Sequence, residues 1–116
     1  MLSGVTIRNP ETVRVEADVT VGQDTVVEAF SQLLGKTAVG RECRVGAGAI
    51  LRDSLLGDRV VIEPYTVITT SRVDADASIG PFARLRTDNH VESGAHIGNF
   101  VELKSTPFGA GAKAGN

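Results

Sequence analysis

The chain has 116 residues, a formal net charge of −2 and a pI of about 5.6, so it forms one domain at most and has no general attraction for nucleic acid. Aromatic residues make up 4% of the sequence and Trp is absent, which suits a narrow aliphatic core. No signal peptide, lipidation motif or long apolar run is present, so a cytoplasmic protein is the default expectation. The single cysteine, Cys43, fits a buried thiol in a reducing compartment.

Residues 1–14 show no clean hydrophobic repeat and contain the pair Asn9-Pro10. We interpret them as the segment through which the chain enters a repeat that occupies residues 15–116. There an apolar residue recurs every six positions, with three shortened steps of five residues, at Val15, Val21, Val27, Leu33, Val39, Val45, Leu51, Leu56, Ile62, Ile68, Val73, Ile79, Leu85, Val91, Ile97, Leu103, Phe108 and Ala114. A fixed hexapeptide period is typical of parallel β-helices.

A second set of positions, four residues after many of the apolar ones, holds only small side chains. These are Thr25, Ser31, Thr37, Cys43, Ala49, Thr66, Ala77, Ala83 and Ala95. We predict that both sets point inward, the small residues where a corner narrows. A helix needs a period of 3.6 and a half-buried strand a period of two, and neither fits this chain as well. The sequence therefore predicts an all-β fold, a parallel β-helix of five to six coils.

The repeat stops two residues after Ala114, at Asn116. Solenoids usually cover their terminal strands with a cap. We interpret residues 15–116 as a β-helix that is incomplete at its C-terminus. The alternative is a short natural protein whose end is covered by another chain.

Two cations occupy equivalent outward positions of neighbouring coils. Arg86 and Lys104 are 18 residues apart in the sequence, which places them about 4.8 Å apart along the axis. Such cations repel each other unless an anion or a carboxylate lies between them. A phosphate would suit, because Arg offers a planar fork and Lys a point charge. The plain alternative is a solvated basic face.

Several motifs in the sequence resemble those of one bacterial enzyme family. They are the run Ile79-Gly80-Pro81-Phe82-Ala83-Arg84-Leu85-Arg86, the run from Gly94 to Lys104 that contains Asn99-Phe100-Val101-Glu102-Leu103-Lys104, and Lys113-Ala114-Gly115. The opening Gly4-Val5-Thr6-Ile7 is similar to the point where that family enters its β-helix. The family is the bifunctional N-acetylglucosamine-1-phosphate uridyltransferase and glucosamine-1-phosphate N-acetyltransferase, and the resemblance is to its C-terminal acetyltransferase domain.

The resemblance implies a left-handed β-helix, a homotrimer with sites between subunits, and a role in UDP-N-acetylglucosamine synthesis for peptidoglycan and the cell wall. It implies that Arg86 and Lys104 bind the phosphate of glucosamine-1-phosphate, with acetyl-CoA as the acetyl donor. The family's general base, a His, falls at Asn116 here, and an amide cannot accept the proton. The coils that hold acetyl-CoA in the family lie beyond this residue. We therefore expect this chain alone to be inactive in acetyl transfer.

The other titratable residues are weaker candidates for a catalytic or metal-binding role. His90 and His96 are expected at the surface without a catalytic role, and Asp74 and Asp76 are expected at solvent-facing corners with no metal site. A zinc site of the γ-class carbonic anhydrase type needs three histidines, and the sequence contains two, so we set it aside. No Gly-rich nucleotide-binding pattern is present, so uridylyl transfer is not expected.

Two functional hypotheses remain open from the sequence. The first is a piece of the amino-sugar acetyltransferase that binds a small phosphorylated sugar, with no nucleic-acid or membrane partner. The second is a non-catalytic trimeric scaffold that keeps the β-helix and an anion-binding face. The motifs favour the first hypothesis, and Asn116 favours the second.

Overall fold

A computed structural model describes residues 4–104, 107–109 and 113–114 of the chain. Throughout this part, strands pair in parallel with their equivalents one coil away. The strands are two or three residues long, because each six-residue unit must also form a corner. Short parallel strands joined by corners form a β-helix of about six coils, as the hexapeptide period predicts.

Three parallel sheets form the sides of the β-helix, and each coil contributes one strand to each sheet. The first sheet contains β1 (Thr6–Ile7), β4 (Val26–Val27), β7 (Arg44–Val45), β10 (Val61–Ile62), β13 (Ser78–Ile79), β16 (His96–Ile97) and β19 (Lys113–Ala114). The second contains β2 (Arg14–Val15), β5 (Gln32–Leu34), β8 (Ile50–Arg52), β11 (Val67–Thr69), β14 (Arg84–Arg86) and β17 (Glu102–Lys104). The third contains β3 (Thr20–Val21), β6 (Ala38–Val39), β9 (Leu55–Leu56), β12 (Arg72–Val73), β15 (His90–Val91) and β18 (Pro107–Phe108).

Parallel pairing already begins within residues 1–14. Strand β1 pairs with β4, with Thr6 opposite Val26, and a single 3₁₀ turn follows at Pro10–Thr12. Proline suits the first position of this turn because no backbone N–H is needed there. The division of the chain at residue 15 stays a prediction. Within the described residues, no helix is long and apolar enough to cross a membrane.

The apolar residues of the hexapeptide repeat face inward, which confirms the central prediction. Those from Val27 to Ile97 are all buried, and Val15, Val21 and Leu103 are partly buried against the same core. The side chains of Phe108 and Ala114 lie outside the described residues. Because each apolar side chain stacks on its equivalents in the coils above and below, one continuous core runs along the axis.

The predicted small inward residues are also buried, at Thr25, Ser31, Thr37, Cys43, Ala49, Thr66, Ala77, Ala83 and Ala95. The hydroxyls of Thr25 and Ser31 donate to backbone carbonyls of the next coil, at Gly40 and Gly46. The Cys43 thiol likewise contacts the Gly57 carbonyl oxygen at 3.1 Å. Burial raises the pKa of the Cys43 thiol, so this side chain stays neutral and behaves as a small core residue.

A ladder of polar side chains runs along the corner between the second and third sheets. Its members are Thr37, Ser54, Ser71 and Asn89, all buried. Each of the first three accepts a backbone N–H from the next member, over 3.2 to 3.3 Å. Each also donates to a carbonyl at the end of its own preceding strand. The ladder thus satisfies backbone groups that the sheets leave unpaired at the corner.

The two leucines Leu85 and Leu55 offer a matched test of this core. Leu85 is 0% exposed, whereas Leu55 is 52% exposed on the outer side of the third sheet. We predict that Leu85→Ala lowers the free energy of unfolding by about 2–5 kcal/mol, because it leaves a cavity in the core. Leu55→Ala should lower it by less than about 1 kcal/mol. Urea unfolding followed by circular dichroism measures both values, and equal losses would contradict the assignment of the core.

Candidate functional site

The cations Arg86 and Lys104 lie side by side on the second sheet. They are at the C-terminal ends of β14 and β17, and the parallel register places Arg86 directly opposite Lys104. Leu85 is fully buried and Leu103 partly so. The neighbouring side chains alternate in direction along each strand, so both cations point outward. The predicted proximity of these two residues is therefore confirmed.

A carboxylate accompanies the two cations. Glu102 lies opposite Arg84 in the same pair of strands, and its Oε2 is 3.4 Å from Arg86 Nη1. The Arg86 and Glu102 side chains are 46% and 53% exposed, so water screens the ion pair and it contributes little to stability. The site combines the cations Arg84, Arg86 and Lys104 with the Glu102 carboxylate. This end of the sheet therefore has an excess of positive charge.

Asn89 fixes the backbone beneath the cations. This side chain is 3% exposed, and its amide nitrogen donates to the carbonyl oxygens of Arg86 and of Leu103, the latter at 3.2 Å. One buried amide thus binds the ends of both strands that carry the cations. It thereby fixes the backbone on which Arg86 and Lys104 lie opposite each other on adjacent coils.

His90 lies on the third sheet, away from the cation pair, and faces an acidic residue. Its Nε2 is 2.8 Å from Oδ2 of Asp74, and Arg72 Nε donates to Oδ1 of Asp74 at 3.1 Å. The hydrogen bond from His90, opposed by partial burial and aided by Arg72, holds the pKa of Asp74 below its usual range. Asp74 is therefore ion-paired with Arg72 and hydrogen-bonded to His90, contacts that the sequence analysis did not predict.

The remaining sequence candidates are dispersed. His96 is exposed on the first sheet and shares a 2.6 Å hydrogen bond with Ser78. Asp76 lies at an exposed corner and pairs with Arg59 at 2.8 Å. Asn116, at the expected position of the base, lies outside the described residues. In the part of the chain that the structure describes, no three His, Cys, Asp or Glu side chains group closely enough to hold a metal ion.

Comparison with known proteins gives the same relatives as the sequence motifs. The chain is 52% identical over 114 residues to the bifunctional protein GlmU of Solibacter usitatus and 48% identical over 114 residues to that of Anaeromyxobacter sp.. The resemblance predicted from the motifs is confirmed. Each match covers 98% of this chain, but the chain spans about a quarter of the length of these relatives, 24% and 23%. No family model matches the chain.

Solved structures support the fold. The acetyltransferase domain of PglB from Neisseria gonorrhoeae superposes with a TM-score of 0.81 at 23% identity, over 98% of this chain and 53% of that one. Its complex with acetyl coenzyme A gives a TM-score of 0.78 at 24% identity, over 89% of this chain and 53% of that one. At such identities the likeness establishes architecture alone, and that architecture is the left-handed parallel β-helix.

Sequence reasoning missed three parts of this region: the Arg86–Glu102 ion pair, the Asn89 amide and the His90–Asp74 pair. Counting residues around the coil could have found the first, because Glu102 lies 18 positions after Arg84. The same counting places His90 opposite Arg72 on the neighbouring strand. The Asn89 contacts depend on the corner conformation, for which the sequence has no comparable signal.

The His90–Asp74 pair predicts a pH dependence. Because the folded-state pKa of Asp74 lies below its unfolded value, its contribution to stability is present above the ordinary carboxylate pKa and is lost as the pH falls through the lowered folded value. We predict that His90→Ala raises the Asp74 pKa toward its ordinary value. Carbon-detected NMR titration of the Asp74 carboxyl measures this shift. His96→Ala is the control and should leave Asp74 unchanged, and an equal response to both variants would contradict the assignment.

Proposed function

We propose that this chain is part of an acetyltransferase domain of the GlmU type and that it binds glucosamine-1-phosphate through Arg86 and Lys104. Both residues stand in motifs where the family has its phosphate ligands. One observation carries the proposal: the two residues lie directly opposite each other on adjacent strands. The similarity to GlmU over 98% of the chain supports the choice of substrate.

The charges around the pair suit a phosphate ester. Arg86 offers parallel N–H donors and Lys104 a compact charge, a combination that can bind two or three oxygens of one phosphate. The half-exposed Glu102 carboxylate contacts Arg86 at 3.4 Å, and a phosphate approaching from solvent would compete with it for the same guanidinium. Binding therefore requires Arg86 to exchange or share this partner.

The reaction of the family is acetyl transfer from acetyl-CoA to the amine of glucosamine-1-phosphate, a step in UDP-N-acetylglucosamine and cell wall synthesis. That step needs a group that accepts the amine proton, which contributes roughly 10²–10⁴-fold to the rate. Asn116 stands where the family has its base, and an amide has no suitable pKa. We propose that this chain binds the acceptor but does not transfer acetyl at a useful rate.

For the assembly we propose a homotrimer, and for the compartment the cytoplasm. A cyclic arrangement would bury sides of a narrow prism that one copy leaves exposed. A non-catalytic trimeric scaffold with an anion-binding face is the second candidate function, and Asn116 is the residue that favours it. Sugar-phosphate selectivity separates the two, because a general anion-binding face would bind inorganic phosphate as well as glucosamine-1-phosphate.

The binding proposal predicts a local response to ligand. Titration with glucosamine-1-phosphate should shift the NMR signals of Arg86 and Lys104, and inorganic phosphate should bind more weakly. Arg86→Ala should weaken binding by about tenfold or more, because it removes a charge-assisted hydrogen-bond pair. Arg52→Ala is the matched control, since Arg52 lies in the same column two coils away. Equal weakening in both variants would contradict a specific site and indicate a general basic face.

The catalytic part of the proposal has a separate test. Thiol release from acetyl-CoA in the presence of glucosamine-1-phosphate should stay at background, because Asn116 cannot accept the proton. The assay requires protein that has already shown the Arg86-dependent ligand response, so that lack of turnover is not confused with lack of binding. Turnover above background would overturn the inactive assignment and require another base.

A further inference from the structure

One member of the polar ladder differs from the others in its chemistry. Thr37, Ser54 and Ser71 carry hydroxyls, whereas Asn89 carries an amide. A hydroxyl has one hydrogen to donate, and a side-chain amide has two. Asn89 is 3% exposed, so water has little access to it. The change from hydroxyl to amide therefore alters how many buried carbonyls one ladder member can bind.

The hydroxyls use their single hydrogen mainly within their own coil. Thr37 Oγ1 lies 2.7 Å from the carbonyl oxygen of Leu34 but 3.4 Å from that of Leu51, one coil further on. Ser71 Oγ lies 2.9 Å from the carbonyl oxygen that ends its own preceding strand, but 3.5 Å from that of Arg86 in the next coil. A hydroxyl thus binds its own strand well and the next strand weakly.

The Asn89 amide binds two neighbouring strands at once. Its nitrogen donates to the carbonyl oxygen of Arg86 in β14 and, at 3.2 Å, to that of Leu103 in β17. The contact with Ser71 Oγ, at 3.4 Å, is the longest of the three. Carbonyl oxygens only accept hydrogen bonds, so the side of the amide that faces them must carry its two hydrogens. Asn89 therefore links β14 to β17 through one donor group.

This link lies beneath the place where two cations face each other. On the outer side of the second sheet, Arg52 lies opposite Leu34 on one neighbouring strand and opposite Thr69 on the other. Arg86 lies opposite Lys104. Like charges directly opposite each other on adjacent strands are destabilising, and here they act to separate the two strands that the amide joins. Among the described ladder members, the amide therefore coincides with the like-charge pair.

The nearby carboxylate reduces this repulsion only in part. Glu102 Oε2 is 3.4 Å from Arg86 Nη1, but both side chains are about half exposed and water screens their attraction. Arg84, opposite Glu102, adds a further positive charge. The Arg86 and Lys104 side chains are exposed, so the backbone beneath them determines how far apart they start. A fixed strand spacing keeps both within reach of one phosphate.

We propose that Asn89 is a positioning residue for the phosphate site. Its amide holds β14 and β17 together against the repulsion between Arg86 and Lys104, so the pair is already in place before the ligand arrives. Such pre-organisation raises affinity, because less of the site must be ordered on binding. Asn89 acts from the interior and does not touch the ligand. This inference rests on the glucosamine-1-phosphate binding proposed above.

Asn89→Thr tests the proposal in solution. Thr37 makes the ladder contacts in a corner of the same length, three residues between strands, so threonine should be accepted here and the circular dichroism spectrum should not change. It supplies one hydrogen where the amide supplies two. Binding of glucosamine-1-phosphate, measured by calorimetry, should weaken about fivefold, the ratio that corresponds to one hydrogen bond.

Thr37→Ala is the matched control for lost stability. Thr37 is 1% exposed and lies three coils from Asn89 in the same ladder. Its removal should lower the melting temperature at least as much as Asn89→Thr does, but should leave the affinity for glucosamine-1-phosphate unchanged. Unchanged affinity in Asn89→Thr would overturn the proposal. An equal loss of affinity in both variants would also overturn it, because reduced stability alone would then account for the effect.

Hydrogen exchange tests the link between the strands without ligand. The backbone N–H of Arg86 lies within the pairing of β14 with β17, and it should exchange about fivefold faster in Asn89→Thr. The N–H of Arg52, in an earlier strand, should not change. Lys104→Gln removes one of the two repelling charges, so Asn89→Thr should accelerate exchange much less in that background. The same acceleration in both backgrounds would indicate a purely structural amide and overturn the proposal.

A further readout uses the unmodified chain. Although Asn89 is buried, the NMR signals of its side-chain NH₂ should shift during titration with glucosamine-1-phosphate, because the phosphate changes the force between the strands that it joins. A shift at Arg86 with none at Asn89 would overturn this inference alone. An unmodified chain in which Arg86 does not respond would overturn the ligand proposal as well, so the two failures are distinguishable.

Discussion

The structure depends on hydrogen bonding from each coil to the next. Backbone N–H groups along the chain donate to carbonyls one coil ahead, as from Val67 to Ala83 and from Arg84 to Val101, at 3.0 and 2.8 Å. This pairing requires every coil to return to the same register, after 20 residues from β1 to β4 and after 17 or 18 residues in the later coils. A residue therefore shares its environment with the residue one coil away rather than with its sequence neighbours. The core, the polar ladder, the cation pair and the stacked rings of Tyr65, Phe82 and Phe100 are all columns, that is, sets of residues at equivalent positions of successive coils, and this one constraint generates them.

The column arrangement explains why much of the fold could be predicted. An inward column of a narrow prism accepts only aliphatic or small side chains, so the hexapeptide repeat from Val27 to Ile97 identifies the core directly. Counting residues around the coil was also enough to place Arg86 beside Lys104. Both inferences use only the register and the direction of side chains in a strand, which the repeat length determines.

Contacts between side chains of different columns could not be predicted in this way. Asn89 reaches two carbonyls because its corner has three residues between strands and a left-handed turn at Asp88, and the hexapeptide repeat specifies neither. The pairing of His90 with Asp74 crosses from one column to the next, so it depends on rotamers as well as register. Low aromatic content agrees with the buried core of the described residues, which contains no rings, but it gave no sign that Phe30, Tyr65, Phe82 and Phe100 would lie on one corner.

The corner with the polar ladder differs from the others in its length. It has three residues between strands where Thr37 and Asn89 lie, but two where Ser54 and Ser71 lie. Thr37 and Asn89 bond to the carbonyl three residues back, at Leu34 and Arg86, and the serines to the carbonyl two residues back, at Arg52 and Thr69. In all four cases the acceptor is the last residue of the preceding strand, so the same contact is kept at both corner lengths. One residue can be gained or lost there while every later side chain keeps its orientation, which makes this corner the place where such a solenoid can absorb insertions and deletions during evolution.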